Sequence, residues 1–201
     1  MGDGPFDGRG CGQGKLTVAD GRGEFGSRLD AYRALLKRWA RAADLIGPGS
    51  SVDALIRDSL AACPWFATPG RFLDVGSGAG VPAVPLLLGC PGWTGVLLEP
   101  RERRWAFLCE VVRELGLAAE VRRERLDAHD GSGYERITVR GVTARVWRGE
   151  VGRRLTADGV VLWWTAEDEA ARFERAAAGR VIRSILPRGR GTLVAWQPCS
   201  T

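Results

Sequence analysis

Three glycines at alternating positions, Gly76, Gly78 and Gly80, follow a short apolar segment of the chain. Because glycine has no side chain, such a loop turns sharply and lets the backbone approach a ligand closely. Asp74 lies two residues before the first glycine, and Glu99 lies 25 positions beyond Asp74. A carboxylate at the end of the next strand can accept both hydroxyls of a ribose. The pattern therefore predicts a site for a ribose-containing ligand.

The spacing separates this loop from other glycine-rich nucleotide loops. The segment 76–80 has the form G-x-G-x-G, whereas dinucleotide folds use G-x-G-x-x-G. A Walker-type phosphate loop requires a lysine, and the only lysines are Lys15 and Lys37, far upstream. S-adenosylmethionine-dependent methyltransferases of the Rossmann-like class use the observed arrangement. A nicotinamide-dependent enzyme remains the competing hypothesis.

Alternating strands and helices must bring these residues together. Apolar spacing predicts a helix after the loop with Pro82 in its first turn, an amphipathic helix over 103–115, and a helix over 167–177. Short apolar runs predict seven strands, at 71–75, 95–98, around Val121, 136–139, 160–164, 181–186 and 192–196. The spacing of the last two favours an antiparallel pair. The pattern predicts an α/β fold with a seven-stranded, mostly parallel sheet covered on both faces.

The domain organisation follows from a change in composition near residue 28. Residues 1–27 hold nine glycines and few large apolar side chains, which predicts a flexible leader. Residues 28–201 are predicted to form one domain, with a helical cap over 28–68 and a Rossmann-like core over 69–201. Within the cap, apolar residues from Leu29 fall at helical spacing. A second helix, capped by Ser51 or Asp53, is predicted to run to about residue 62.

Composition restricts the class of protein. The chain has 201 residues, of which 45% are hydrophobic and 26% charged, and its net charge of +5 permits a polyanionic partner. We expect a cytoplasmic protein with no membrane partner, because no apolar run reaches the roughly 20 residues that cross a bilayer. Five cysteines form no C-x-x-C pair, and the single histidine, His129, is predicted to lie in a loop. We therefore expect reduced thiols and no metal.

The chain resembles the glucose-inhibited division protein B family, the small-subunit ribosomal RNA guanine-N7 methyltransferases. Its segment 72–82, F-L-D-V-G-S-G-A-G-V-P, is similar to the family's L-L-D-V-G-S-G-A-G-F-P. Its segment 97–108, L-L-E-P-R-E-R-R-W-A-F-L, resembles the family's L-L-D/E-x-x-x-K/R-R-x-x-F-L. Asp58-Ser59-Leu60 matches the family's D-S-L upstream.

The resemblance implies a class I methyltransferase fold with an antiparallel last strand, S-adenosyl-L-methionine as cofactor, and small-subunit ribosomal RNA or its precursor as partner. It implies that Leu126 and Asp127 hold the adenine and that Arg140 lies near the methionine end. Together with the loop and its flanking acids, the predicted cofactor-binding residues are Asp74, Gly76, Ser77, Gly78, Gly80, Val81, Glu99, Leu126, Asp127 and Arg140.

The implied reaction requires little of the protein's acids and bases. Guanine N7 has a free lone pair and loses no proton on attack, so no general base is obligatory and we assign no catalytic residue. The family's R-H before D-S is Ala54-Leu55 here, and no lysine follows the fifth strand. Two alternatives therefore stay open, namely a methyltransferase acting on a flat aromatic small molecule and a non-catalytic cofactor-binding protein.

Two adjacent tryptophans are candidates for stacking on a flat acceptor. Trp163 and Trp164 lie at the end of the predicted fifth strand. Because successive side chains on a strand point to opposite faces, at most one of them faces the predicted pocket.

Overall fold

The computed structural model describes residues 21–47, 51–186 and 191–199, which form an α/β fold. Its helices are α1 (Gly21–Ala43), α2 (Val52–Leu60), α3 (Ala83–Gly89), α4 (Glu102–Glu114), α5 (Ala144–Trp147) and α6 (Glu167–Ala176). Its strands are β1 (Arg71–Val75), β2 (Thr94–Leu98), β3 (Ala119–Arg122), β4 (Tyr134–Arg140), β5 (Leu155–Thr165), β6 (Arg180–Ile185) and β7 (Thr192–Gln197).

The seven strands form one sheet in the order β3-β2-β1-β4-β5-β7-β6. Strands β1 to β5 pair in parallel, and β7 runs antiparallel to both of its neighbours, β5 and β6. The predicted seven-stranded, mostly parallel sheet with an antiparallel last strand is confirmed. Because chain order reverses between β1 and β4, the carboxyl ends of these strands open onto a crevice where such folds bind ligands.

The sheet is covered on both faces, as its sequence predicts. Leu162 and Trp164 contribute to the core on the face that α1, α3 and α4 cover, whereas Val161 and Trp163 contribute to the other core with Phe173 of α6. Strand β5 therefore buries both of its faces, which explains its continuous apolar run. The prediction that Trp163 and Trp164 point to opposite faces is confirmed.

The helical cap begins earlier than its sequence predicts. Helix α1 starts at Gly21, inside the predicted leader 1–27, and the side chain of Phe25 packs against the core. The glycine-rich composition of this segment predicts a flexible leader, and the contact of Phe25 with the core cannot be read from that composition. Residues 1–20 lie outside the described part of the chain. Helix α2 has the predicted cap, because the Ser51 side chain accepts a hydrogen bond from the amide of Ala54. It ends at Leu60, two residues before the predicted end.

Two short elements between β4 and β5 are absent from the sequence prediction. Helix α5 and the 3₁₀ turn Gly152–Arg154 lie in an arginine-rich segment with little helical periodicity. Their position is determined by Trp147, whose fully buried ring packs against Trp163 and Phe173 at centroid distances of 5.3 and 5.6 Å. None of the helices in the described residues is long and apolar enough to cross a membrane.

Candidate functional site

The glycine loop leaves β1 in a conformation that only glycine adopts easily. Gly76 and Gly78 have φ values of 71° and 53°, in the left-handed region. A β-carbon on Gly76 would lie 3.0 Å from a methyl group of Val142, and one on Gly78 would point towards Glu99 and Arg104 at about 4 Å. The loop therefore presents bare backbone to the space between β1, β2 and β4.

The carboxylate of Glu99 faces this loop from the end of β2. Its Oε2 accepts a hydrogen bond of 2.9 Å from the amide of Gly78, and its Oε1 accepts one of 2.8 Å from the amide of Arg101. The residue is 4% exposed. A carboxylate oxygen can accept two hydrogen bonds, so each oxygen of Glu99 can still accept one from a ligand's hydroxyl. The two backbone amides fix the position of the carboxylate.

Asp74 lies beneath the loop rather than on its surface. Its Oδ1 accepts a 2.7 Å hydrogen bond from the hydroxyl of Thr138, whereas its buried Oδ2 has no hydrogen-bond partner among the described residues. Burial raises the pKa of Asp74 to about 6, the hydrogen bonds from Thr138 and Ser77 oppose this shift, and the charge of Glu99 adds to it. Gly80 also lies behind the loop, where an added β-carbon would be 2.7 Å from Val84.

Helix α1 supports the loop from below. The hydroxyl of Tyr32 donates a 2.6 Å hydrogen bond to the carbonyl of Ala79, and the side chain is fully buried. Burial raises the pKa of Tyr32, so the hydroxyl keeps its proton as a donor. The sequence places Tyr32 on an apolar helix face, and nothing local in the sequence indicates that it reaches a loop 47 residues away.

A cleft of about 420 Å³ opens over the loop. Its lining includes six of the residues predicted to bind the cofactor, namely Gly76, Ser77, Gly78, Val81, Glu99 and Arg140. The cap contributes Leu45, Ile46 and Leu55 to the opposite wall. Asp74 and Gly80 do not line this cleft, and their place behind the loop makes them supports for its conformation.

A second cavity, of about 210 Å³, adjoins the first at Gly76, Pro100 and Val142. The predicted adenine-binding residues Leu126 and Asp127 both line it. The walls of this cavity are largely apolar and include Val146 of α5, which is 57% exposed. Such a slot suits a flat, mostly apolar ring system with polar edges.

A buried arginine supports the segment that carries Leu126 and Asp127. Arg154 is 1% exposed, and its Nη2 donates hydrogen bonds to the carbonyls of Leu126 and His129, the second at 2.6 Å. The ring of His129 contacts Glu124 at 2.6 Å and the hydroxyl of Tyr134 at 2.8 Å. The predicted loop position of His129 is confirmed, and its ring is turned into the protein rather than towards the cleft.

Arg140 joins the sheet to the cap. Its Nη2 lies 3.3 Å from Oδ2 of Asp58, and its Nη1 donates a 3.4 Å hydrogen bond to the carbonyl of Leu55. Burial lowers the pKa of the Arg140 guanidinium, and the Asp58 carboxylate opposes this shift. The indole of Trp164 donates a 2.8 Å hydrogen bond to the carbonyl of Asp58. The sequence singles out Asp58 and Arg140 separately, but only the fold shows that they form a pair.

A third cavity, of about 450 Å³, adjoins the cleft at Arg140 and Gly141. Trp164, Thr165 and Leu186 contribute to its walls. Of the two tryptophans predicted as candidates for stacking, Trp164 is therefore the one at the pocket, whereas Trp163 lies in the core behind it. Within residues 21–47, 51–186 and 191–199, no cluster of three or more His, Cys, Asp or Glu side chains is placed to hold a metal ion.

Comparisons with known proteins agree with this arrangement. A family model described as "GidB: rRNA small subunit methyltransferase G" matches residues 26–179. A ribosomal RNA small subunit methyltransferase G of Alkalilimnicola ehrlichii is 33% identical over 193 residues, which cover 90% of this chain and 86% of the relative. The protein of the same name from Stenotrophomonas maltophilia is 37% identical over 136 residues. That match covers 65% of this chain and 64% of the relative, slightly less than two thirds of its length.

Solved structures share the fold at low sequence identity. A ribosomal protein L11 methylase from Lactobacillus delbrueckii subsp. bulgaricus superposes with a TM-score of 0.60 at 17% identity, covering 77% of this chain and 83% of that one. A tRNA (m1A58) methyltransferase from Aquifex aeolicus superposes with a TM-score of 0.57 at 10% identity, covering 73% and 69%. These likenesses show that the architecture is that of Rossmann-like methyltransferases.

Proposed function

The chain belongs to the GidB family, described as rRNA small subunit methyltransferase G, and from this premise we propose that it transfers a methyl group from S-adenosylmethionine to guanine N7 of 16S ribosomal RNA. The observation that carries the proposal is the contact between Glu99 and the amide of Gly78 inside an open cleft. It places a fixed carboxylate and bare backbone side by side at the carboxyl edge of the sheet.

The residues present fit S-adenosylmethionine. Glu99 would hold the ribose hydroxyls through its remaining acceptor capacity, and the slot beside Leu126 and Asp127 would hold the adenine. The backbone from Gly76 to Gly78, with Arg140 across the cleft, would hold the methionine part. A β-carbon on Gly78 would point towards Glu99 and Arg104, into the space that this ligand needs.

Bound S-adenosylmethionine supplies a methyl group that its sulfonium has already activated. The chain's own residues then have to hold the acceptor in line and keep water out. Guanine N7 loses no proton when it attacks, so a base is unnecessary. The described site agrees with this requirement, because the ring of His129 is occupied by Glu124 and Tyr134 and is 3% exposed in total.

The third cavity is the proposed entrance for the acceptor guanine. It adjoins the cofactor cleft at Arg140 and Gly141, so a base placed there would be next to the methionine end. Trp164 is among the residues that line it, and its indole donates a hydrogen bond to the carbonyl of Asp58. Exposed Arg101 at the cleft and Arg125 at the adenine slot supply positive charge where an RNA backbone would approach.

A methyl-transfer assay with two kinds of acceptor tests the proposal. The full chain is incubated with methyl-labelled S-adenosylmethionine and either small ribosomal subunits and their deproteinised RNA, taken from cells that lack this activity, or an extract of small metabolites. We expect label in the RNA, and we expect it to be recovered as 7-methylguanosine after nuclease digestion and mass spectrometry. Label only in the metabolite extract, or in another nucleoside, would contradict the proposed acceptor.

A further inference from the structure

Two cysteines that are 27 positions apart in the chain lie in direct contact. The sulfur atoms of Cys63 and Cys90 are 3.1 Å apart. Cys63 begins the 3₁₀ turn Cys63–Phe66 that follows α2, and Cys90 caps the carboxyl end of α3. The pair therefore bridges the helical cap and the core, and neither residue lines the cleft or the two cavities next to it.

Close packing of the two segments holds the thiols together. A β-carbon on Gly89, next to Cys90, would lie 2.8 Å from a methyl group of Leu60 in α2 and 3.8 Å from the sulfur of Cys63. The missing side chain at Gly89 thus allows the end of α2 to rest on the end of α3. The contact is part of the packing of the cap on the core, because Phe25 of α1 closes the same junction.

The two thiols are chemically different. The thiol of Cys90 donates its hydrogen bond to the sulfur of Cys63, which lowers the pKa of Cys63. The same hydrogen bond, together with burial, raises the pKa of Cys90. Cys63 is half-buried, whereas Cys90 is 5% exposed. An oxidant from solution therefore meets the more acidic thiol first.

We propose that Cys63 and Cys90 form an oxidation site that a hydroperoxide converts into an intramolecular disulfide. The Cys63 thiolate attacks one peroxide oxygen, the O–O bond breaks, and a sulfenic acid and one water or alcohol result. The sulfur of Cys90 then attacks the sulfur of Cys63 and displaces hydroxide, which leaves as water with the Cys90 proton. In sum, two thiols are oxidised and one peroxide is reduced.

The geometry favours this outcome over further oxidation of a single cysteine. A disulfide has a sulfur–sulfur bond of about 2.05 Å, so the two sulfurs must approach by roughly 1 Å. The bond would fasten α2, which carries Asp58 and its contact with Arg140, to the end of α3. The proposal does not depend on the proposed methyl transfer, because it concerns only the junction of cap and core.

Peptide mapping of the full chain tests the proposal. The reduced protein is treated with hydrogen peroxide, its remaining thiols are alkylated, and it is digested with trypsin without reductant. Cys63 and Cys90 lie on separate tryptic peptides, 58–71 and 72–101, each with a single cysteine. We expect the cross-linked pair of these peptides, lighter by two hydrogens than their sum, to be the main oxidation product. We expect half-buried Cys109 and exposed Cys199 to be recovered mostly alkylated.

Two variants test whether the cross-link is specific to Cys63 and Cys90. Cys109→Ser is expected to form the same cross-linked peptide as the unaltered chain. Cys90→Ser is expected to lose it and to accumulate sulfenic or sulfinic acid on Cys63. The proposal is overturned if the main disulfide involves Cys109 or Cys199, or if peroxide oxidises Cys63 to sulfinic acid in the unaltered chain while Cys90 stays a free thiol.

Discussion

At the scale of single residues, the site depends on a carboxylate and a backbone amide that hold each other in place. Glu99 accepts hydrogen bonds from Gly78 and Arg101, so a ligand that reaches this carboxylate meets it already oriented. A pre-oriented group loses little conformational freedom on binding, which favours affinity. The missing side chain at Gly78 matters for the same site, because a β-carbon there would lie 3.9 Å from Arg104 and 4.0 Å from Glu99.

We predict that Gly78→Ala weakens the binding of S-adenosylhomocysteine by about tenfold or more, that is by ~1.4 kcal/mol. The added methyl group would occupy the space between Glu99 and Arg104. Gly116→Ala is the matched control, because its φ of 55° is close to the 53° of Gly78 and its β-carbon meets nothing within 4 Å. The positive φ is therefore similarly unfavourable for alanine at both positions. Isothermal titration that finds equal losses for the two would contradict the proposed cleft.

The buried carboxyl of Asp74 predicts a dependence of stability on pH. Its pKa of about 6 is above its ordinary value of 3.8, so the folded protein holds this proton more tightly than the unfolded chain. Stability from this group is therefore present at low pH and falls as pH rises from about 4 to about 6. The Asp74→Asn variant has no carboxyl group at this position, so it does not lose stability through the ionisation of a buried group.

Urea denaturation at two pH values tests this expectation. Relative to the unaltered chain, Asp74→Asn should gain up to about 3 kcal/mol more stability at about pH 7.5 than at about pH 4. A difference between the two proteins that is the same at both pH values would show that Asp74 does not carry the raised pKa.

At the scale of elements, the segment 124–129 depends on a buried arginine from a different part of the chain. Arg154 donates to the carbonyls of Leu126 and His129, and it also pairs with Glu150 at 3.1 Å. Removing its guanidinium takes a donor from both carbonyls and leaves that of Leu126 with only the 3.2 Å hydrogen bond from the amide of His129. Lost hydrogen bonds at buried groups are among the costlier changes in a protein interior. The turn Gly152–Arg154 thus supports a wall of the second cavity, which we propose holds the adenine, without lining it.

We predict that Arg154→Met lowers the free energy of unfolding by about 3 kcal/mol in urea denaturation. Arg153→Met is the control, because Arg153 pairs with the same Glu150 but its side chain is 61% exposed, and its loss should cost less than about 1 kcal/mol. Equal effects of the two substitutions would show that the buried hydrogen bonds of Arg154 contribute nothing specific.

The elements next to the glycine loop could be predicted from the sequence because their signals are local. A short apolar run followed by Gly76-x-Gly78-x-Gly80 gives β1 and its turn, and the apolar stripe that ends at Gly116 gives α4. The sequence also predicts that Glu99 faces the loop, because parallel strands end at the same edge of the sheet, and the structure shows this contact.

Contacts between distant segments could not be predicted in this way. Tyr32 beneath Ala79, Arg154 behind Leu126, and the pair of Asp58 and Arg140 all join residues that are 28 to 82 positions apart. Nothing in the spacing of either partner indicates the other, since tertiary packing alone brings them together. The early start of α1 has the same cause, because Phe25 is ordered by the core rather than by its glycine-rich neighbours.

At the scale of the whole molecule, a net charge of +5, exposed Arg101 at the cleft and exposed Arg125 at the second cavity are suited to RNA rather than to a neutral small acceptor. We predict that affinity for deproteinised small-subunit RNA falls by about tenfold or more between about 50 and 200 mM salt, because protein binding releases counterions from the RNA phosphates. Arg101→Ala at the cleft should make the decrease of log affinity with log salt less steep, reducing the magnitude of the slope by about 0.7 to 0.9. Arg175→Ala, in the last turn of α6, should leave it unchanged. A flat salt response would contradict an RNA partner.

We propose that one continuous crevice at the carboxyl edge of the sheet holds the methyl donor. Hydrogen–deuterium exchange of the full chain with and without S-adenosylhomocysteine tests it most directly, since it reports which segments the ligand protects. We predict slower exchange in segments 76–81 and 124–129 and no change in β6 or β7. Binding of S-adenosylhomocysteine that leaves both segments unprotected, or that protects β6 and β7 instead, would contradict it.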